Sequence, residues 1–168
     1  MSLLKGMVRI ANRAFPATTA RAHCDIPCGI YDPHLAQIAA LTTVRMNQLI
    51  NDLPDHPGSR TDGSKLARYT LVKEEHAELV KRELRVLWGD YFKPEHLEGH
   101  PDLNTSVWSA LKLAGKVKQE ANLEAAEQLV AEVQKIAEIF WATKGADSKR
   151  QPSLQGPVGG EIVYPSPK

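Results

Sequence analysis

The two cysteines of the chain, Cys24 and Cys28, stand four positions apart, and His23 directly precedes the first. Two thiolates and an imidazole this close together can converge on one metal ion if the backbone curls. Pro27 fixes its own φ, and Gly29 reaches conformations barred to other residues. The segment His23-Cys24-Asp25-Ile26-Pro27-Cys28-Gly29-Ile30-Tyr31 is therefore able to form a tight hook. A disulfide scaffold instead spreads its cysteines along the chain to staple distant segments. Soft thiolates favour late transition metals over magnesium or calcium, and the spacing alone fits zinc, copper or nickel. Zinc usually takes four side-chain ligands, and the segment offers three, so a fourth would come from His34, His76 or another distant residue. Ni(II) and Cu(II) suit square-planar sites, which also accept backbone nitrogens. A free amine on His23 would supply one, right beside Cys24.

Residues 1–22 carry Lys5, Arg9, Arg13 and Arg21 and no acid, and they end Ala20-Arg21-Ala22, a small-residue pattern that proteases accept. Arginines interrupt every apolar stretch, so the uninterrupted core of a secretory signal is missing. The segment reads as a removable leader whose cleavage exposes His23. A basic, acid-free composition equally fits an organelle transit peptide, and a frayed basic terminus is the plain alternative. The expected compartment is the cytoplasm.

Four amphipathic helices must position the hook. Asp32-Pro33 starts the first, with Leu35, Ile38, Thr42, Met46, Leu49 and Leu53 at helical spacing until Pro54. Ser64 is the expected cap of the second, which carries Leu66, Tyr69, Val72, His76, Leu79, Val80, Val86 and Leu87 to about Gly89. Asp90-Tyr91-Phe92-Lys93-Pro94 is an aromatic connector and is expected to pack. Pro101 opens the third helix, with Leu103, Val107, Ala110, Leu111, Ala114 and Val117. The fourth runs from about Asn122 to Lys144, with Leu123, Ala126, Val130, Val133, Ala137 and Phe140. Strand-like alternation of useful length is not found. The expected fold is all-α: an antiparallel up-down four-helix bundle over residues 33–145 with an N-terminal metal-binding hook over 23–32. Residues 146–168, rich in Ser, Pro and Gly, read as a flexible tail.

A net charge of +1 indicates no global attraction to nucleic acid. No apolar run approaches the ~20 residues of a membrane span.

The hook closely resembles that of nickel superoxide dismutases, whose mature chains begin His-Cys-Asp-x-Pro-Cys-Gly-x-Tyr. Two further stretches agree: Trp88-Gly89-Asp90-Tyr91-Phe92-Lys93-Pro94 and Ile139-Phe140-Trp141. The likeness spans about His23 to Gly145. It implies one nickel ion per subunit, held by the His23 amine and imidazole, the Cys24 amide nitrogen and thiolate, and the Cys28 thiolate. The imidazole is then axial in the oxidised state. It also implies disproportionation of superoxide to O2 and H2O2 by Ni(III)/Ni(II) cycling, a leader-processing peptidase, and assembly as a homohexamer. Tyr31 is similar to the family tyrosine over the open axial face, and Tyr91 to its hydrogen-bonding companion. Both would position small ligands and water, since a free phenol stays protonated at neutral pH.

Family members often brace the axial imidazole with a glutamate and an arginine, and Ala39 and His76 stand at those positions here. Partners of this kind set ring orientation and basicity. His76 is a candidate substitute brace for His23, its plain alternative being a histidine satisfied elsewhere in the bundle. Asp25 is a second candidate beside the ligands. His34, His56, His96 and His100, at helix starts or loops, are expected to be solvent-exposed. Lys93 is expected to be a surface lysine that adds positive potential, and Trp108 and Trp141 serve either subunit contacts or the core. Two rival readings are a non-catalytic zinc-binding helical bundle and a thiol redox protein using Cys24 and Cys28. The three-residue spacer is atypical of thioredoxin-like pairs.

Overall fold

The computed structural model describes residues 29–166. Four long helices carry the architecture: α1 (His34–Asn51), α2 (Arg60–Val86), α4 (Leu103–Gln119) and α5 (Leu123–Thr143). A short helix, α3 (Pro94–Gly99), lies between the second and the third. α1 packs against α2 and α5, and α4 packs against the same two, so the four close a ring around one core.

Each helix buries one stripe. On α1 it is Ala36, Ala39, Ala40, Thr43, Val44 and Asn47, and on α2 Lys73, Ala77, Val80 and Leu84. These steps of three and four bring one face inward. The alanines let neighbouring helices approach closely, while Leu84, Leu103, Leu129, Ile136 and Phe140 fill the space between.

The helix starts follow local chemistry. Asp32 Oδ1 accepts from the His34 amide at 2.6 Å, and Asn122 Oδ1 accepts from that of Ala125 at 2.9 Å. The second helix begins at Arg60, earlier than the expected Ser64. Ser59 is the cap, its Oγ accepting from Asp62 N at 3.1 Å. Gly63 sits in the first turn, where its low helix propensity is tolerated.

The buried Lys73 closes the end of α4. Its ammonium donates to the carbonyls of Val117 at 2.6 Å, Lys118 at 3.3 Å and Glu120 at 2.7 Å, so all three protons find acceptors. Burial pulls its pKa below the ordinary lysine value. On the rim, Glu78 accepts from Lys118 of α4 and from Arg85 on its own helix. Those bonds hold its carboxyl down to about 2.

The C-terminal segment departs from expectation. It is not an aperiodic tail: Ser148–Pro152 (β1) and Glu161–Pro165 (β2) form an antiparallel hairpin, with Arg150 opposite Val163. A two-stranded sheet is marginal on its own in water. This one is held against α1 and α5 by the fully buried Ile162 and Val163. Gln37 of α1 bonds Val163 twice, its Nε2 donating to the carbonyl (3.1 Å) and its Oε1 accepting from the amide (2.7 Å). Gln134 Nε2 of α5 donates to the Glu161 carbonyl at 2.7 Å, and Arg150 pairs with Glu138 at 2.6 Å. Gly160 has φ +75°, a left-handed backbone that strains other residues, and a Cβ there would press on Leu41 Cδ2 at 2.9 Å, so β2 enters close against α1. Among the described residues no helix is long and apolar enough to cross a membrane.

Ile162→Ala should lower the unfolding free energy by ~2–5 kcal/mol in denaturant titrations, as deletion of a packed core side chain does. A change below ~0.5 kcal/mol would mean that the hairpin does not contribute to the core.

Candidate metal centre

His23, Cys24, Asp25 and Cys28 lie outside the described residues. Among the described residues no group of three or more His, Cys, Asp and Glu gathers as a metal site.

The hook's root is visible. Gly29, next to Cys28, has φ +71°, and nothing lies within 4 Å of where its Cβ would be. The requirement at Gly29 is therefore the left-handed backbone itself, not crowding. Two residues on, the Tyr31 ring lies 5.4 Å from that of Tyr91 at 50°. The two tyrosines are in ring contact, 60 positions apart in sequence, and the Tyr91 hydroxyl is bonded elsewhere, to Thr143. Ile30, Tyr31 and Asp32 also line a cavity of about 210 Å³ with Arg82, Glu83, Val86 and Leu87.

Tyr91 ends a widened helical turn, Leu87–Tyr91, that continues α2. Its hydroxyl lies 2.7 Å from Thr143 Oγ1, which itself donates to the Phe140 carbonyl at 2.7 Å. The threonine's single proton is thus committed, and Tyr91 is the donor of the pair. That leaves the phenol oxygen's lone pairs as acceptors. The ring is held by Phe140 at 4.6 Å, Phe92 at 5.2 Å and a stacked His96 at 5.6 Å. The Lys144 ammonium lies 5.1 Å from its centroid. The aromatic connector packs, as expected.

His96, expected in solvent, is half-buried on Tyr91, and its Nδ1 accepts from the Lys93 amide at 3.2 Å. His34, also expected in solvent, is half-buried, with its ring 5.3 Å from that of Tyr164. The His96–Lys93 contact is a local cap three residues long, whereas no local spacing signals the contacts of His34 with Tyr164, or of Thr143 and Lys144 with Tyr91, because each of these joins separate elements. Lys93 is exposed, as expected, and Trp108 is 62% exposed with Lys112 over its ring.

His76 is half-buried on α2, its Nδ1 2.8 Å from the Val72 carbonyl one turn back. This bond assigns the proton to Nδ1 in the neutral ring and leaves Nε2 as an acceptor. The ring lines an open depression of about 340 Å³ with Glu75, Glu78, Leu79, Arg82 and Arg85. Arg82 borders this depression and the cavity under Tyr31 alike, so the two adjoin. Ala39 is fully buried between helices and brings no polar atom to the region.

The profile of the family described as nickel-containing superoxide dismutase matches residues 18–144. The superoxide dismutase (Ni) of Streptomyces seoulensis is 37% identical over 131 residues, covering 78% of this chain and 95% of its own. That of Streptomyces coelicolor is 36% identical over the same length and coverage. Among solved structures, a nickel-containing superoxide dismutase with its nickel ligation corresponding to the oxidised state overlaps at TM-score 0.66 and 37% identity. It covers 74% of this chain and 100% of its own. A native nickel superoxide dismutase overlaps equally well, at 36% identity. The match begins ahead of the hook, ends with α5 and takes in the tyrosine pair: the chain belongs to the nickel-containing superoxide dismutases, enzymes that disproportionate superoxide with nickel as cofactor.

Proposed function

We propose that the nickel is held by His23, Cys24 and Cys28 once a peptidase has removed residues 1–22. The donor set fits the metal: two thiolates, a terminal amine, an amide nitrogen and an imidazole are the soft and nitrogenous donors that Ni(II) takes. Bound there, the nickel supplies a one-electron couple that lies between oxidation and reduction of superoxide. The net reaction converts two superoxide ions and two protons to O2 and H2O2. The observation that carries the assignment is the family match across the hook motif, with Tyr31 and Tyr91 5.4 Å apart at its root.

Around that site the chain's own groups have separable tasks. Tyr91 donates to Thr143, and its remaining lone pairs can orient a water or a protonated ligand beside Tyr31. Lys144, its ammonium 5.1 Å from the Tyr91 ring centroid, places positive charge near this pair, and the exposed Lys93 follows Tyr91 by two residues; both charges favour approach of an anion. His76, with Nδ1 fixed by Val72, offers Nε2 as a partner for the His23 ring, and Asp25 lies between the ligands in sequence. The packing of each helix against its sequence neighbours, with a three-residue link between α4 and α5, supports an antiparallel up-down four-helix bundle with the hook at one end. The exposed Trp108 indole is a contact point for assembly as a hexamer.

Cys24→Ser and Cys28→Ser should each reduce nickel in the processed protein from one ion per chain to background and abolish superoxide disproportionation. Nickel content is read by elemental analysis. Retention of nickel and activity by either variant would remove that cysteine from the ligand set. His76→Ala should shift the electron paramagnetic resonance of the oxidised enzyme and lower activity by ~10-fold, the scale for loss of a ligand's hydrogen-bond partner. An unchanged spectrum and rate would return His76 to a purely structural role.

A further inference from the structure

The family match stops at residue 144, and the solved relatives are covered over their full length by 74% of this chain. The β1–β2 hairpin therefore lies outside what the family shares. Its contacts with α1 follow one face of that helix's first two turns. Tyr164 meets His34 at 5.3 Å, Val163 is doubly bonded to Gln37, and Gly160 abuts Leu41. Positions 34, 37 and 41 are successive steps of three and four on one helix. The hook leaves from this same turn, because Asp32, next to Tyr31, accepts from the His34 amide. A continuous series of contacts thus runs from Tyr164 through His34 and Asp32 to the root of the hook.

We propose that the C-terminal hairpin braces the first turn of α1, so that Tyr164 and Gln37 are positioning residues for the nickel hook. The inference rests on the hook being the nickel site. A hairpin that served only bundle stability would need just its buried anchors, Ile162 and Val163, which are fully enclosed whereas Tyr164 is half-buried. The Gln37 amide is also matched to a single backbone register of β2, which suits a part that sets position. The family's helix start is then held from two sides here: by Tyr91 against Tyr31, and by the hairpin against His34.

The test compares processed, nickel-loaded wild type with Tyr164→Ala and Tyr164→Phe. Loss of the ring should speed amide hydrogen exchange in the first turn of α1. Nickel release to excess EDTA should quicken ~10-fold, and the oxidised-state paramagnetic resonance should broaden, while the denaturation midpoint stays near that of wild type. Tyr164→Phe, which keeps the ring, should behave as wild type. If Tyr164→Ala does not fold, Tyr164→Leu, which keeps apolar bulk without the ring, takes its place. Faster exchange with unchanged nickel release, or no change in either, would overturn the brace. Wild type that binds no nickel would instead overturn the ligand assignment, and the exchange comparison would still read the hairpin's grip on α1.

Discussion

On the proposed assignment, the metal donors stand in a stretch of nine residues, His23 to Tyr31, too short to bury a core of its own, so the part of the fold that it joins has to position them. That part is the turn where the chain enters α1. Asp32 ties off the helix start there, Tyr31 leans on Tyr91, and Tyr91 is fixed by a hydrogen bond to Thr143 and by a wall of aromatic rings. Three separate parts of the chain meet at that point: the exit of α2, the end of α5 and the start of α1. A metal hook attached anywhere less constrained would lose its donors' mutual geometry to chain entropy.

The helix ring makes such a junction possible because it is rigid for its size. Buried alanines on α1 and α4, with Ala77 on α2, bring backbones close, and the larger residues of α5 fill the centre. Three buried polar side chains are matched to backbone partners: Lys73 satisfies the open carbonyls at the end of α4, and Gln37 and Gln134 satisfy the backbone of β2. Each of these buried polar side chains ends a helix or seats a strand, and so fixes one arrangement where an apolar residue would tolerate several.

The four helices were legible because their signals are local. A 3.6-residue apolar period and cap residues such as Asn122 are complete within a few turns of chain, whereas the proposed metal donors lie outside the described residues. The error at the second helix start came from two serines with similar context. Ser59 wins because Asp62 completes the cap three residues on, whereas Ser64 already lies inside the helix. The hairpin was not legible. Glu161-Ile162-Val163-Tyr164 has β-favouring residues, but β1 is Ser-Lys-Arg-Gln-Pro with no alternation, and the amide that seats β2 lies 126 residues away. The same distance problem concealed the Tyr31 and Thr143 partners of Tyr91 and the Tyr164 partner of His34, which only the tertiary fold brings together.

In the proposed assignment, removal of residues 1–22 would give His23 a terminal amine. A histidine inside a chain offers only its ring and an amide, whereas one at the start adds a strong nitrogen donor next to Cys24. Native mass spectrometry of the purified active protein, with metal retained, addresses this directly. The predicted species is a chain that begins at His23 and carries one nickel ion. A fully active species that keeps residues ahead of His23, or that turns over superoxide without nickel, would contradict the account.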